Sequence, residues 1–423
     1  MDRKRATAMW IDRNDDSPQG ESVFCPEAVV LLCVRGHDPF LAQTIRALSR
    51  QDYANYRIIV VVDHRQDPAW KVVEDTKLEL GINDQQLELQ ELVSRHDQCG
   101  LKCSSLIQAL ESLPDENFDH RIIVTIDSDA VPGKEWLANM VFPLAQREVG
   151  AATSNQWFEP REWSLGSWVR SVWHAGAIVP TAMLGNPWAG GFAIRQADLA
   201  ESGLIEAWRT SIIDDGPVRE GLQRLGKRIE FVPQNIVINR EACRLDYCLR
   251  YVARMLTWSR LFESTFWMTG IHALVTTTIQ LMIVLWCMLA ILSVGSATSL
   301  TAALGAIGLP AASVAVILLG QVLGFYLVRR AIFRVTTAKD EANPTPGELQ
   351  NSPIAGLFQF ATICIGVPLA NLAYAVGCFQ AMRVKRVVWR NIAYEIDNGR
   401  KVKMLGYAPY VAEKPHVFEN HSV

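Results

Sequence analysis

Residues 122–133 read IIVTIDSDAVPG, a run of β-branched and apolar residues that ends on two acids one residue apart, Asp127 and Asp129. An extended chain points residues i and i+2 to the same side, so the two carboxylates can face one spot about 6–7 Å apart. Carboxylates that close repel, and one pKa rises unless a cation lies between them. A hard divalent ion, Mg2+ or Mn2+, relieves the repulsion, because it favours carboxylate oxygens and often shares its shell with substrate phosphates. The alternative is a solvated turn, for which Val131-Pro132-Gly133 is a signal. Asp63 ends a second apolar run, YRIIVVVD, and an acidic pair, Asp214-Asp215, stands in SIIDDGPVREG. A turn residue at Asp63 and a helix cap at Asp215 are the plain alternatives there.

The elements that must carry these acids alternate along the chain. EAVVLLCV (27–34) reads as a buried strand, then Asp38 suits an N-cap and Pro39 a first helical position before PFLAQTIRALSRQ. Strand YRIIVVV, a helix over 65–80, a strand over 87–93, a helix over 99–113, the IIVTI strand and a helix over 135–147 follow. Such alternation predicts an α/β domain with a Rossmann-like, mostly parallel sheet. Ligands of such sheets bind beyond the C-terminal strand ends, where Asp63, Asp127 and Asp129 stand. In NPWAGGFAIR, the pair Gly190-Gly191 offers close backbone approach. Trp157, Trp163, Trp168 and Trp173 read either as a surface segment near a bilayer or acceptor, or as core aromatics. Arg240, Arg244, Arg250, Arg254 and Arg260 make a basic helical stretch, which suits anionic lipid on the cytoplasmic side or, at Arg254, a diphosphate.

The remainder of the chain is of another kind. Of 423 residues 49% are hydrophobic, and the mean hydropathy is +0.10. Residues 266–294, 309–328 and 354–380 hold no Asp, Glu, Lys or Arg. Each run is long enough to cross a hydrocarbon layer, which takes about 20 residues. The N-terminus has no apolar signal region, so the first domain is expected in the cytoplasm. Nine scattered cysteines form neither a disulfide framework nor a zinc spacing, and a net charge of −3 gives no footprint for nucleic acid. The expected organisation is an N-terminal tail (1–24), a cytoplasmic catalytic domain (25–262), a membrane region (263–382) and a basic cytoplasmic tail (383–423) of an inner-membrane protein. Basic residues flank the first two runs as a hairpin with both ends in the cytoplasm. A third full crossing would then put the basic tail outside. With Pro368 in mid-run, residues 354–380 are read as a span or, in preference, as two half-length segments, re-entrant or interfacial.

Taken together, these pieces resemble the family 2 glycosyltransferases with the GT-A fold, most closely the ceramide glucosyltransferase-like branch. The matching pieces run in family order: VVVD at Asp63, GLK at Gly100 and Lys102, DSD at Asp127 and Asp129, DD at Asp214 and Asp215, and RMLTW from Arg254 to Trp258. The tail RVKRVVWRNIAYEI resembles a further element at Trp389, Arg390 and Tyr394. The resemblance implies a GT-A catalytic domain followed by C-terminal transmembrane helices. It implies that Asp63 holds the nucleoside of a UDP-sugar, UDP-glucose being favoured. Lys102 would join the donor site, and Asp127 and Asp129 would hold the diphosphate through Mg2+ or Mn2+. Asp215, beside Asp214, would be the general base, and Arg254 and Trp258 would close over diphosphate and acceptor. The implied reaction inverts the sugar and delivers a hexose to the hydroxyl of a membrane lipid such as ceramide. A polyprenyl phosphate acceptor, a polysaccharide product and a silent nucleotide- or lipid-binding protein are the alternatives. Two departures stand out: Asp214 replaces the usual Glu, and Thr257 takes the place of the Arg before Trp258, with Arg250 or Arg260 as possible substitutes.

Overall fold

Seven strands between residues 28 and 231 form one sheet. The computed structural model describes residues 24–36, 38–160, 164–294, 299–336, 353–397 and 401–410. The strands are β1 (Ala28–Val34), β2 (Tyr56–Val62), β3 (Leu87–Glu91), β4 (Ile122–Ile126), β5 (Val149–Thr153), β6 (Gly191–Arg195) and β7 (Arg228–Phe231). Their order is β3-β2-β1-β4-β6-β5-β7. β1 pairs in parallel with β2 and β4, and β2 with β3; β6 runs antiparallel between β4 and β5, and β5 is parallel to β7. The mixed, mostly parallel α/β class is therefore the one expected. β1 and β4 are buried almost throughout, as befits strands covered on both faces.

Register decides what the strand ends bring together. Val34 pairs with Val62, so Arg35 and Asp63 leave the sheet side by side. Leu32 pairs with Ile126, so Asp127 emerges level with Cys33. Helices α1 (Leu41–Leu48), α2 (Pro68–Leu80) and α3 (Leu101–Glu111) cover the sheet. α2 is capped at both ends: Asp67 accepts the Ala69 N–H, and Gly81 closes the helix at φ 65°. α1 begins at Leu41, later than expected, because Asp38 uses Oδ1 to accept the Phe40 N–H in a turn. The helix expected over 135–147 is only Trp136–Val141 followed by a 3-10 turn, Phe142–Ala145.

The chain divides into two compact units, residues 1–156, 180–237 and 385–423 in one, 157–179 and 238–384 in the other. The segment expected as a basic cytoplasmic tail with the Trp389, Arg390 and Tyr394 element thus belongs to the sheet's unit. It forms an antiparallel sheet of Arg386–Trp389, Ile392–Ile396 and Val402–Met404. Its first turn, Arg390-Asn391, has both residues at positive φ, the geometry of a two-residue hairpin loop.

The second unit holds an amphipathic helix, Leu245–Phe262, and three long apolar helices, Phe266–Val294, Leu300–Thr336 and Pro353–Ala381. All three are long and apolar enough to cross a membrane. The third differs from the break favoured at Pro368: it is one continuous helix. It is also the most covered, 44% buried against 6% and 11% for the other two. Its middle is tied to the first helix: Gln280 donates to the Pro368 carbonyl at 3.3 Å, and Asn371 donates to Gln280 at 3.1 Å. Trp157 and Trp168 are buried in this unit, so they are core aromatics rather than a surface belt; Trp173 is half-buried, and Trp163 lies outside the described residues. Trp157 Nε1 donates to Glu159, which also accepts a forked contact from Arg329 at 2.6–3.1 Å.

Candidate active site

The C-terminal ends of β1, β2 and β4 open into a cleft lined among others by Cys33, Arg35, Asp63, Lys102, Asp127 and Asp129. Both acids of the DSD triplet therefore face the same space. Their loop is held from below: the Thr44 hydroxyl donates to the Ser128 carbonyl at 2.9 Å, and the Ser128 hydroxyl donates to Asp38 Oδ2 at 3.3 Å. Arg390 lies 3.9 Å from the same Asp38 oxygen. Asp38, expected as a helix cap, thus ties the DSD loop to the C-terminal sheet.

Lys102 stands at the start of α3, and its ammonium is the hub of the site. It donates to Asp127 Oδ1 at 2.6 Å, lies 3.3 Å from Asp214 Oδ2, and donates to the Ala189 carbonyl at 3.4 Å. Ala189 in turn gives its N–H to Asp215 Oδ2 at 2.9 Å. Thr125 of β4 also donates to the Ala189 carbonyl, at 3.3 Å. The loop before β6 is therefore clamped on one side by Lys102 and Thr125 and holds Asp215 on the other. Gly190 is needed there because the Trp188 ring covers it; a Cβ would stand 2.1 Å from that ring. The acid loop is fixed by its own contacts: Trp208 Nε1 donates to the Asp214 carbonyl at 2.7 Å, and the Gly100 N–H donates to Ser211 at 2.9 Å.

Two carboxylates meet one ammonium with a third, Asp215, held beside them through Ala189, and burial shifts the acids of the 214–215 pair. Burial pushes the Asp215 carboxyl up to about 7, reinforced by the charge of Asp214 and opposed by the Ala189 N–H. Burial also raises Asp214, against the pull of Lys102. Burial works against the Lys102 ammonium, yet Asp127 and Asp214 hold its pKa above the ordinary lysine value. Burial pushes the nearby Cys33 thiol up to about 12, so it stays protonated. Among the described residues no group of three metal-ligating side chains occurs. The cleft offers a hard divalent ion two carboxylates, Asp127 and Asp129, with oxygen donors of the right chemistry; the rest of its shell would come from substrate and water.

At the other end of the cleft, Asp63 is only 2% exposed. Arg35 Nη1 donates to its Oδ2, Arg95 donates to its carbonyl at 2.5 Å, and the Tyr407 hydroxyl donates to Oδ2 at 3.3 Å. Burial raises its pKa, with Arg35 and Arg95 opposing.

The structure thus gathers Asp63, Lys102, Asp127, Asp129, Asp214 and Asp215 in one unit, with Trp389, Arg390 and Tyr394 on the wall of the same cleft. Arg254 and Trp258 belong to the other unit, half-buried on the amphipathic helix, with Arg254 over the Tyr251 ring. Thr257 is 2% exposed and bonds the Ala253 carbonyl one turn back, so its position faces a core. Arg250 pairs with Asp246 at 3.1 Å and Arg260 donates to Val384 at 3.3 Å. Sequence reasoning missed Arg35, Asp38, Arg95 and Tyr407. The strand-end argument that found Asp63 would also have found Arg35, one residue past β1. Nothing local marks Tyr407.

Among curated proteins, none matches the chain. Two solved structures are distant likenesses. One is a mannosyltransferase from Pyrobaculum calidifontis in complex with GDP-Man and Mn2+, 16% identical, covering 84% of this chain and 87% of its own, at a TM-score of 0.43. The other is glucosyl-3-phosphoglycerate synthase from Mycobacterium tuberculosis in complex with Mn2+, UDP and glucosyl-3-phosphoglycerate, 17% identical, covering 55% and 80%, at a TM-score of 0.37. Both are too distant to carry an argument about this chain. The model of glycosyl transferase family 21 matches residues 4–402, nearly the whole length. The glycosyltransferase part of the resemblance therefore stands, with family 21 where it pointed to family 2: the chain belongs to glycosyl transferase family 21.

Proposed function

We propose that this glycosyltransferase transfers a hexose from a UDP-sugar, UDP-glucose being favoured, to the hydroxyl of a membrane lipid of the ceramide type, with inversion. The observation that carries the reading is the cluster at the strand ends in which Lys102 meets Asp127, Asp214 and the Ala189 carbonyl, while the Ala189 N–H holds Asp215. In this reading Asp215 takes the proton of the acceptor hydroxyl. A carboxyl held near 7 is suited to that work, because a base is most effective when its pKa is close to the working pH. Lys102 and Ala189 keep it in place while the acceptor attacks. Asp127 and Asp129 would hold Mg2+ or Mn2+, which supplies positive charge to the leaving diphosphate. Arg254 and Trp258 remain proposed contacts for diphosphate and acceptor. The three apolar helices support a lipid acceptor rather than a soluble one.

The same reading fixes a topology. Residues 385–410 pack with residues 24–156 in one unit, so both must lie on one side of any membrane. An even number of crossings must separate them. Three helices are available, so one does not cross in full. The third, with the lowest hydropathy (1.7) and the most protein cover, is the one assigned to the interface. The catalytic unit is placed on the cytoplasmic face of the inner membrane, where basic flanks favour it.

The test is nucleoside diphosphate release by the detergent-purified chain. UDP-sugars and GDP-mannose are offered in turn with Mn2+ or Mg2+, with and without a lipid extract. Metal-dependent UDP release stimulated by lipid is expected. Nucleotide binding without release under any condition would replace the transferase reading by that of a silent binding protein. Tags on the two termini that protease reaches from opposite faces of sealed vesicles would overturn the topology.

A further inference from the structure

The C-terminal segment runs across the Asp63 end of the cleft and is pinned there at several points. The Met404 N–H donates to Asp97 at 2.6 Å, the Leu405 N–H to Ala393 at 2.9 Å, and Arg35 Nη2 to the Ala408 carbonyl at 2.8 Å. Tyr410 lies so close to Gly36 that a Cβ there would stand 2.7 Å from its ring, and Gly36 itself has φ +82°. Between these anchors Tyr407 reaches in. Its ring centroid is 4.4 Å from the Arg95 guanidinium carbon, and its hydroxyl donates to Asp63 Oδ2 at 3.3 Å.

That pair of contacts has a chemical meaning. A flat ring against a guanidinium, with a polar edge that donates to a carboxylate, is what a nucleobase would present to the same residues. The pocket beneath is also incompletely satisfied. Asp63 Oδ1 and Arg95 Nε are buried, have no hydrogen-bond partner among the described residues, and lie 3.9 Å apart. A buried acceptor and donor left in this state cost stability unless another state uses them.

We propose that Tyr407 occupies the nucleobase position of the donor site, and that the 401–410 strap is a built-in competitor which lifts when a nucleoside diphosphate binds Asp63 and Arg95. The inference rests on the donor-site reading above and deepens it: Arg95 becomes the stacking platform for the base. A site open only part of the time binds its ligand more weakly by that fraction. Weakening the latch should therefore tighten binding. A hydrogen bond to a charged group is strong enough for its loss to shift the open fraction by about tenfold.

The experiment is UDP binding, with Mn2+, to the full-length chain in detergent, for the wild type, Tyr407→Phe, Tyr407→Ala and Asp63→Ala. Tyr407→Phe keeps the ring and should bind UDP about 3–10-fold more tightly. Tyr407→Ala should tighten it at least as much. Asp63→Ala should weaken it. On the wild type, UDP should speed hydrogen exchange at the Met404 and Leu405 amides, whose bonds anchor the strap. Tyr407 variants that bind UDP no better than wild type, or strap amides unmoved by saturating UDP, overturn the latch while Asp63→Ala still reports the donor site. If Asp63→Ala binds UDP as well as the wild type, the donor-site assignment itself falls.

Discussion

Both compact units bury charge, and they balance it differently. In the first, Asp127 and Asp214 share a single ammonium, that of Lys102, and Asp215 beside them is held by the Ala189 N–H. In the second, Glu159, with no exposure at all, has its own guanidinium from Arg329 and an indole N–H from Trp157. Arg170, 1% exposed, likewise has Glu241 at 3.1 Å. The second pattern is self-contained, since every buried charge named has an opposite partner. The first sets several acids against one cation, and burial, reinforced by the charge of Asp214, pushes Asp215 up to about 7. Balanced burial holds a structure together; unbalanced burial marks where a ligand's charge is awaited. Substitutions in the two units should therefore fail in different ways.

The largest effect is expected in the unbalanced cluster. Asp215→Asn should lower kcat by about 10²–10⁴-fold, the usual contribution of a general base. UDP affinity should survive, because the substituted group serves the acceptor. The wild type should carry an acidic limb in its rate profile. Asp215 is ionised above its pKa of about 7, so transfer is sustained at higher pH and falls as pH drops through that value. A rate independent of pH between 5 and 8, or an Asn variant with full turnover, would remove Asp215 from this role.

The balanced pair should break as structure, not as chemistry. Arg329→Met strands the buried Glu159 and should cost about 3 kcal/mol of stability, as when one partner of a buried pair is removed. Thermal unfolding in detergent reads this loss, while UDP affinity below the transition should stay at the wild-type value. A large drop in UDP affinity without loss of stability would abolish the contrast drawn between the units. Thr257→Arg is a milder probe of the same unit. The family-like motif suggests that Arg here restores a contact, but the position is 2% exposed and its hydroxyl is bonded within the helix. Forcing a guanidinium into it should cost about 2 kcal/mol. A gain in turnover with unchanged stability would show instead that the helix face can open to substrate.

What the sequence made legible follows from how local each feature is. Asp63, Asp127 and Asp129 were readable because each ends an apolar run, and parallel strands deliver such ends to one edge. Lys102 needed the resemblance, since an isolated lysine at a helix start has no pattern of its own. Tyr407 meets Asp63 across 344 residues and belongs to a segment expected as a basic tail. No periodicity encodes that meeting. Trp157 could be read as either interface or core, because aromatic spacing does not distinguish the two until packing is known. Pro368 signalled a break that does not occur, and the contact its carbonyl makes with a donor on the neighbouring helix, Gln280, could not be placed from the sequence.

That donor leads to the smallest predicted effect. Gln280 accepts from Asn371 at 3.1 Å and donates to the Pro368 carbonyl at 3.3 Å, while Thr277 donates to the Asn371 carbonyl. Asn371→Leu deletes one link but leaves Gln280 its bond to Pro368. Hydrogen bonds between helices in membranes average about 0.6 kcal/mol, because the separated helices find other partners. A loss of that size in unfolding free energy is expected, because Gln280 keeps its bond to Pro368. A loss above about 2 kcal/mol would mean that Gln280 has only hydrocarbon as its alternative. The third helix would then be as deep as the other two, and one of those would have to be the incomplete crossing.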